Sequence, residues 1–258
     1  MNIHIISLLN DMAEQTIHNF SRLPFVKSAI YSDNTALIAV HFKQLADFYI
    51  DFFQKLKFLP LNRTFYKRSL IGTYDFYNEL KDKDTMLKEV LDGFPLEELL
   101  EMKSITPIHI RYTDTTNFYF VSGLSWIESK KKVLLDLHEF SLSKDIVTMT
   151  PQPPHYLMDM LEDFSSTEDM SLRDMVTIKG YSYKQFQKDC KIYWGDTFYS
   201  FFSKLKMMEA TNDIIFTQMP LKEIAFRNKF TNYVNMYRTF GTYNLNLSEI
   251  PRLTNLYL

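Results

Sequence analysis

With 258 residues, 46% hydrophobic and 23% charged, the chain is long enough for one large or two ordinary domains and carries no disorder signature. Its apolar runs are short and interrupted by charge, which excludes a membrane helix; its one cysteine, Cys190, excludes an internal disulfide and suits a reducing cytosol. The net charge of −2 argues against nucleic acid until its distribution is considered: from Ser171 onward twelve bases face seven acids, a surplus of +5, so the preceding residues carry −7. A basic module joined to an acidic one is the balance expected of a DNA-binding domain with a separate control domain.

In chain order, residues 2–20 have helical apolar spacing through Ile5, Leu8, Leu9 and Met12. The opening lacks a basic n-region and acquires acids early, so it is not expected to be a secretion signal. "SAIYSDN" and "TALIAVHF" read as two β-rich runs around a turn at Asp33-Asn34. "KQLADFYIDFFQKLKF" returns to a helix, and residues 84–102 look like one or two more, broken near Gly93 and Pro95. Then "IHIRYT", "NFYFVSGLSWIE" and "KVLLDLHEFSL" form three strand candidates with polar turns at 114–117 and 128–132. An antiparallel sheet with helices on one face satisfies this order.

The clearest seam is "TMTPQPPH", residues 148–155, whose prolines preclude a continuing helix or central strand. A short helical segment, "YLMDMLEDF", follows, and a linker is placed at 143–170. After it, residues 171–250 read as helices with short corners, and one helix–corner–helix pattern occurs twice.

In the first unit Ser171 caps a short helix with Leu172, Met175 and Val176 inward, Gly180 supplies a tight corner, and Ser182 caps a second helix. That helix turns Phe186, Cys190 and Tyr193 inward and Lys184, Gln185, Gln187, Lys188 and Lys191 outward, a polar stripe whose only acid is Asp189. In the second unit Leu221, Ile224 and Ala225 form the inner helix, and Thr231 caps a helix packing through Val234, Met236 and Phe240. Its exposed residues, Asn232, Tyr233, Tyr237 and Arg238, are of the types that contact phosphates and base edges. About nineteen helical residues from Thr197 would separate the units by roughly 28 Å, the order of one turn of duplex.

Residues 171–250 resemble the DNA-binding domain of the AraC/XylS family of transcription regulators, two helix–turn–helix motifs joined by a long helix. Ser182 sits at the serine opening the family's first recognition helix, with Tyr183 following it and Phe186 and Cys190 at its Leu and Phe core positions. Gly195 occupies the glycine after that helix and Thr197 the serine two later; Phe201, Lys206 and Ala210 match the linker helix's aromatic, arginine and alanine. Glu223-Ile224-Ala225 reproduces the Glu-Ile-Ala signature, Phe230-Thr231 the Phe-Ser/Thr start of the second recognition helix, and Met236, Arg238 and Phe240 its Phe, Arg and Phe. Phe198 departs from the family's first proline, Lys229 from the glycine before Phe230, and Leu245 and Ser248 from the closing Gly and Pro. These departures bear on the geometry of the C-terminal corner.

The front of the chain resembles a PAS sensor domain over roughly residues 22–142. "PFVKSAIYSDNTALIAVHFKQLADFY" is similar to its opening strands and first helix, "LIGTYDFYNELKDKDTMLKEVL" to its "iGktd…D…vl" stretch with Asp84 opening the helix, and "FYFVSGLSWIESKKKVLLDLHEFS" to its closing hairpin. The fold expected is therefore α+β: an N-terminal helix (1–21), a PAS-like domain with an antiparallel sheet and helices (22–142), a linker (143–170), and an all-α double helix–turn–helix domain (171–258). The resemblances imply a cytoplasmic, bacterial, sequence-specific DNA-binding transcription regulator. They imply double-stranded DNA as partner, a homodimer formed through the front domain, a small-molecule effector, and contact with RNA polymerase. Ligand-lining candidates are Phe48, Phe52, Tyr74 and Trp126, which are also ordinary core residues. His4, His18, His41, His109, His138 and His155 show no metal-ligand spacing, and neither metal nor cofactor is expected.

An enzyme is not expected. The chain contains no P-loop, G-x-G-x-x-G, G-x-S-x-G or H-E-x-x-H, and Cys190 falls on an inward face, as a buried structural thiol rather than a nucleophile. The alternative is a non-enzymatic interaction module that keeps the helical scaffold and has lost specific DNA binding.

Overall fold

The fold comes from a computed structural model that describes residues 2–31, 34–60, 67–75, 105–129, 132–148, 154–166 and 170–256. It is α+β, and the chain divides into two compact units.

The sheet unit comprises residues 9–49, 62–146 and 253–258. Its helices are α1 (Ile3–Ser21), α2 (Pro24–Tyr31) and α3 (Thr35–Lys55), the first and last running on into the other unit's share of the chain. Proline at the first position of α2 suits a helix start, where no N–H partner is needed. Residues 28–31 and 35–42, expected within two strands, are helical instead. Their β-branched and aromatic residues favour a strand composition, but burial recurs every three or four residues, at Phe25, Val26 and Ala29 and then Ile38, Phe42, Leu45 and Tyr49. A strand would divide those side chains between two faces; a helix collects them on one.

Strands β1 (Lys67–Asp75), β2 (Thr106–Thr113), β3 (Asn117–Ser129) and β4 (Lys132–Ser143) form an antiparallel sheet in the order β1-β4-β3-β2. The last three coincide with the three strand candidates, whereas β1 was not read as a strand. The helices expected at 84–102, and Asp84, lie outside the described residues. The β2–β3 turn closes on Asp114, whose carboxylate accepts from the Tyr119 hydroxyl at 2.8 Å and the Thr116 and Asn117 N–H groups at 2.7 Å. Strand β3 passes so close to β4 that a Cβ on Gly123 would lie 1.9 Å from the Asp136 carbonyl oxygen, so only glycine fits there.

Helices α1 and α3 cover one sheet face. The Phe42 ring meets His138 at 5.1 Å, and His138 and Asp136 pair at 3.4 Å with both side chains buried. His109 bridges β2 to α1: Nε2 lies 3.0 Å from Asn10 Oδ1 and Nδ1 lies 2.9 Å from Ser122 Oγ. The amide oxygen only accepts, so Nε2 carries the proton and Nδ1 accepts from the serine hydroxyl, which is a neutral ring. Burial lowers the His109 pKa, opposed by Glu14 and Asp11 and assisted by Arg111 and His18.

As pH falls, the unfolded chain therefore takes up this proton before the folded one. The contribution of neutral His109 is fully present above its ordinary value of 6.5 and is lost as pH drops through the lower folded value. Urea unfolding as a function of pH is expected to show this loss below pH 6.5, and His109→Gln to reduce it.

The helical unit gathers residues 1–8, 50–61 and 147–252. Its helices are α4 (His155–Ser166), α5 (Leu172–Ile178), α6 (Tyr183–Trp194), α7 (Phe198–Phe216), α8 (Leu221–Arg227) and α9 (Tyr233–Gly241). Among the described residues no helix is long and apolar enough to cross a membrane. Ten of the nineteen residues of α7 are buried, and only Tyr199 and Glu209 are exposed. Phe58 packs its ring 6.1 Å from that of Phe201 on α7, Asn2 Nδ2 donates to the Ile192 carbonyl at 3.1 Å, and Ile3 N–H donates to the Thr148 carbonyl at 3.2 Å. The early segments are thus part of this core. Residues 147–258 produced alone are expected to lose the cooperative thermal transition, followed by circular dichroism, that the full chain gives; a sharp transition from the fragment would show that α7 needs no cover from residues 1–8 and 50–61.

Candidate nucleic-acid interface

The first helix pair begins at Ser171, whose hydroxyl accepts from the Asp174 N–H and starts α5 with Leu172, Met175 and Val176 buried. Gly180 turns the corner at φ +80, with the Tyr181 N–H donating to the Val176 carbonyl at 3.0 Å. Ser182 occupies the N-cap position of α6, but its hydroxyl makes no capping bond. Phe186 and Cys190 are buried as expected. Tyr193 is only half-buried, and Trp194 takes the next core position, stacked face to face on Phe201 at 4.6 Å. Burial, reinforced by Asp189, pushes the Cys190 thiol up to about 12, so it remains protonated and is no nucleophile.

Lys184, Gln185, Gln187, Lys188 and Lys191 are exposed along the outer face of α6, and Tyr183 is half-buried with the Arg173 guanidinium 5.2 Å from its ring centroid. The face borders an open groove of about 850 Å³ that reaches Tyr199 at the start of α7. Asp189, the stripe's one acid, points inward: it is 8% exposed and accepts from Gln185 Nε2 at 2.7 Å and from the Tyr156 hydroxyl on α4. Two further acids of this region are engaged, Asp196 by Lys204 at 2.7 Å and Asp213 by Asn228 Nδ2 at 2.7 Å. Asp189 alone is withdrawn by neutral donors only, since Asp196 takes Lys204 with it and Asp213 also faces Arg227 at 3.5 Å.

The second pair repeats the first with one difference. Ile224 and Ala225 are buried, and the Phe230 N–H donates to the Ala225 carbonyl at 2.9 Å, as Tyr181 does to Val176. Lys229 stands where Gly180 stands and adopts φ +57, so the corner keeps a left-handed residue without glycine. Lys206 on α7 fastens it: Nζ donates to the Lys229 carbonyl at 3.2 Å and lies 4.7 Å from the Phe230 ring centroid. Helix α9 then starts one residue later than the first pair would place it. Asn232, not Thr231, is the N-cap, and its side-chain oxygen accepts from the Asn235 N–H at 2.8 Å. Asn232 is thereby committed to the backbone. Thr231 is exposed ahead of it, and Tyr233 is half-buried 6.4 Å from the ring of Tyr237.

Val234 and Met236, two residues apart, lie about 200° apart around a helix and do not share a face. Met236 and Phe240 are buried as expected, but Val234, expected to pack, is 51% exposed beside the exposed Tyr237 and Arg238. At 234, 237 and 238 these three share one outer face. After α9, Asn244 takes φ +55 and Leu245 is buried, so the closing corner has moved one residue ahead of the expected glycine position, onto a residue type that tolerates it. Phe198, at the family's proline position, opens α7 buried against Phe164 at 5.2 Å and Phe186 at 5.5 Å.

Comparison with protein-family models, with curated proteins and with solved structures finds no match to this chain. Its function is therefore read from the surface itself.

Of the four ligand-lining candidates, Phe48 and Phe52 lie one turn apart on α3. Phe52 is buried in the helical unit, whereas Phe48, Tyr74 and Trp126 belong to the sheet unit, where Phe48 is half-buried and Trp126 is core. Tyr74 lies in β1 opposite Val133. The sequence also missed Trp194, Val234 and the clamp by Lys206; only the positions of Trp194 and Lys206 relative to the corners could have signalled them.

A lysine at positive φ costs about 1 kcal/mol relative to glycine. Lys229→Gly is expected to raise the urea midpoint, with a stability gain of about 0.5–1 kcal/mol; an unchanged or lower midpoint would show that the lysine side chain's own contacts compensate.

Proposed function

We propose that the helical unit binds double-stranded DNA in the manner of AraC-type regulators, with α6 and α9 entering successive major grooves and α7 as the spacer between them. One observation carries this reading: Lys184, Lys188 and Lys191, at i, i+4 and i+7, project from one helix face whose only acid is turned inward. Such a stripe meets phosphates without repulsion. On α9 the contribution differs in kind. Val234 offers an apolar contact of the sort made to thymine methyl groups, Arg238 a cation for phosphate or guanine, and Tyr237 either. A nineteen-residue helix is roughly 28 Å long, close to the ~34 Å turn of B-DNA. In the same reading the sheet unit is the sensing or dimerising part, a PAS-like role in which its helices stand in place of the expected opening strands.

Selection of bound fragments from random duplex, followed by titration at several salt concentrations, tests the proposal. The logarithm of affinity is expected to fall linearly with that of salt, by about 0.9 per neutralised phosphate. Lys184→Ala with Lys188→Ala should reduce that slope by about 1 to 2 and weaken all duplexes alike. Val234→Ala should instead abolish the preference for thymine over uracil within the selected site. Affinity without salt dependence, or no affinity for any duplex, would favour the interaction-module alternative.

A further inference from the structure

The segment between the prolines and the first helix pair reads as a linker, yet α4 is bonded to the surface assigned to DNA. Tyr156 stacks on Tyr181, the residue after the Gly180 corner, with centroids 4.1 Å apart and planes inclined by 19°. Asp163, two turns along α4, pairs with Lys179 on the other side of that corner. The Tyr156 hydroxyl donates to one oxygen of Asp189, whose other oxygen accepts from Gln185. Burial chiefly, and then Asp189, raise the Tyr156 pKa, so the hydroxyl remains a donor at any physiological pH.

We propose that Tyr156 is a positioning residue for the DNA-facing stripe of α6, holding the Asp189 carboxylate inward and aiming the Gln185 side chain through it. Position 189 directly follows Lys188 and lies one turn beyond Gln185. Released, its carboxylate stands within a side chain's length of the lysine ammonium groups and of any phosphate they contact. A negative charge at that range is not screened at physiological salt, where the Debye length is about 8 Å. Held inward by two donors, it leaves the lysines uncompensated and fixes which end of the Gln185 amide is occupied, so that the Gln185 carbonyl oxygen and one N–H remain for a base edge. Helix α4 thus becomes a third element of the interface, and any displacement of α4 alters duplex affinity without touching a residue in the groove.

This role rests on the DNA-binding reading of α6, and the test separates the two. Tyr156→Phe keeps the ring and its stacking on Tyr181 while removing the hydroxyl. Duplex affinity at low salt is expected to fall about threefold to tenfold, with a smaller loss at high salt, as repulsion by one released charge requires. Adding Asp189→Asn in the same chain should restore affinity, because an amide released outward repels nothing. A merely structural role for Tyr156 predicts no such rescue and no salt dependence of the loss. Unchanged affinity in Tyr156→Phe, or a double variant as weak as the single one, overturns the proposal while leaving DNA binding intact. A wild-type chain with no affinity for duplex overturns both.

Discussion

Helix α7 is buried over most of its surface, and the helical unit follows from that. Phe198, Phe201, Met208, Ala210, Ile214 and Ile215 are all buried, and of its nineteen residues only Tyr199 and Glu209 are exposed. Each fully buried side chain of this size contributes about 1.5–3 kcal/mol on removal from water, against about 0–1 for a surface ion pair. A helix of this kind must be covered on most sides. The two helix pairs cover part of it, α4 lays Phe164 against Phe198 and Phe202, and residues 1–8 and 50–61 complete the core. The unit is discontinuous in sequence because its central helix exposes so little of its surface.

The same burial decides what remains outside. Each pair gives one face of its inner helix and one of its outer helix to the core; the outer faces of α6 and α9 stay exposed, as do Ile178 on α5 and Phe226 on α8. Charge is sorted by the same packing. Lys204 is buried against Asp196, and its ammonium also lies 4.9 Å from the Phe58 ring centroid, while Asp213 is held by Asn228 and Arg227 and Asp189 by the neutral donors Gln185 and Tyr156. The basic stripe combines the lysines of α6 with the inward placement of its one acid.

The corners show how one requirement is met by different residues. Among the described residues five positions adopt a left-handed backbone, and glycine fills Gly180 and Gly195, lysine Lys57 and Lys229, and asparagine Asn244. Glycine adopts this conformation freely and asparagine at small cost; lysine needs support, which at Lys229 the Lys206 contact supplies. Sequence reasoning follows the first corner correctly because its glycine and its serine caps are local signals. It misplaces the second cap by one residue because that corner holds one residue more, and only the hydrogen bond from the Asn235 N–H to Asn232 distinguishes Thr231 from Asn232.

By itself the sequence determined the short-range features: the strands from 106 to 143, the capped helices from 171 onward, the nineteen-residue spacer, and the basic balance of the C-terminal part. Those depend on side-chain periodicity, capping and backbone restrictions that act within a few residues. Tertiary structure decided that residues 28–31 and 35–42 are helical, that residues 1–8 and 50–61 complete a distant core, and that Asp189 faces inward. Each of these is set by a partner far along the chain, such as His138 beneath Phe42, Phe201 beside Phe58, or Tyr156 above Asp189. Contacts between segments so far apart form only once the chain has folded, and local propensity carries no record of them.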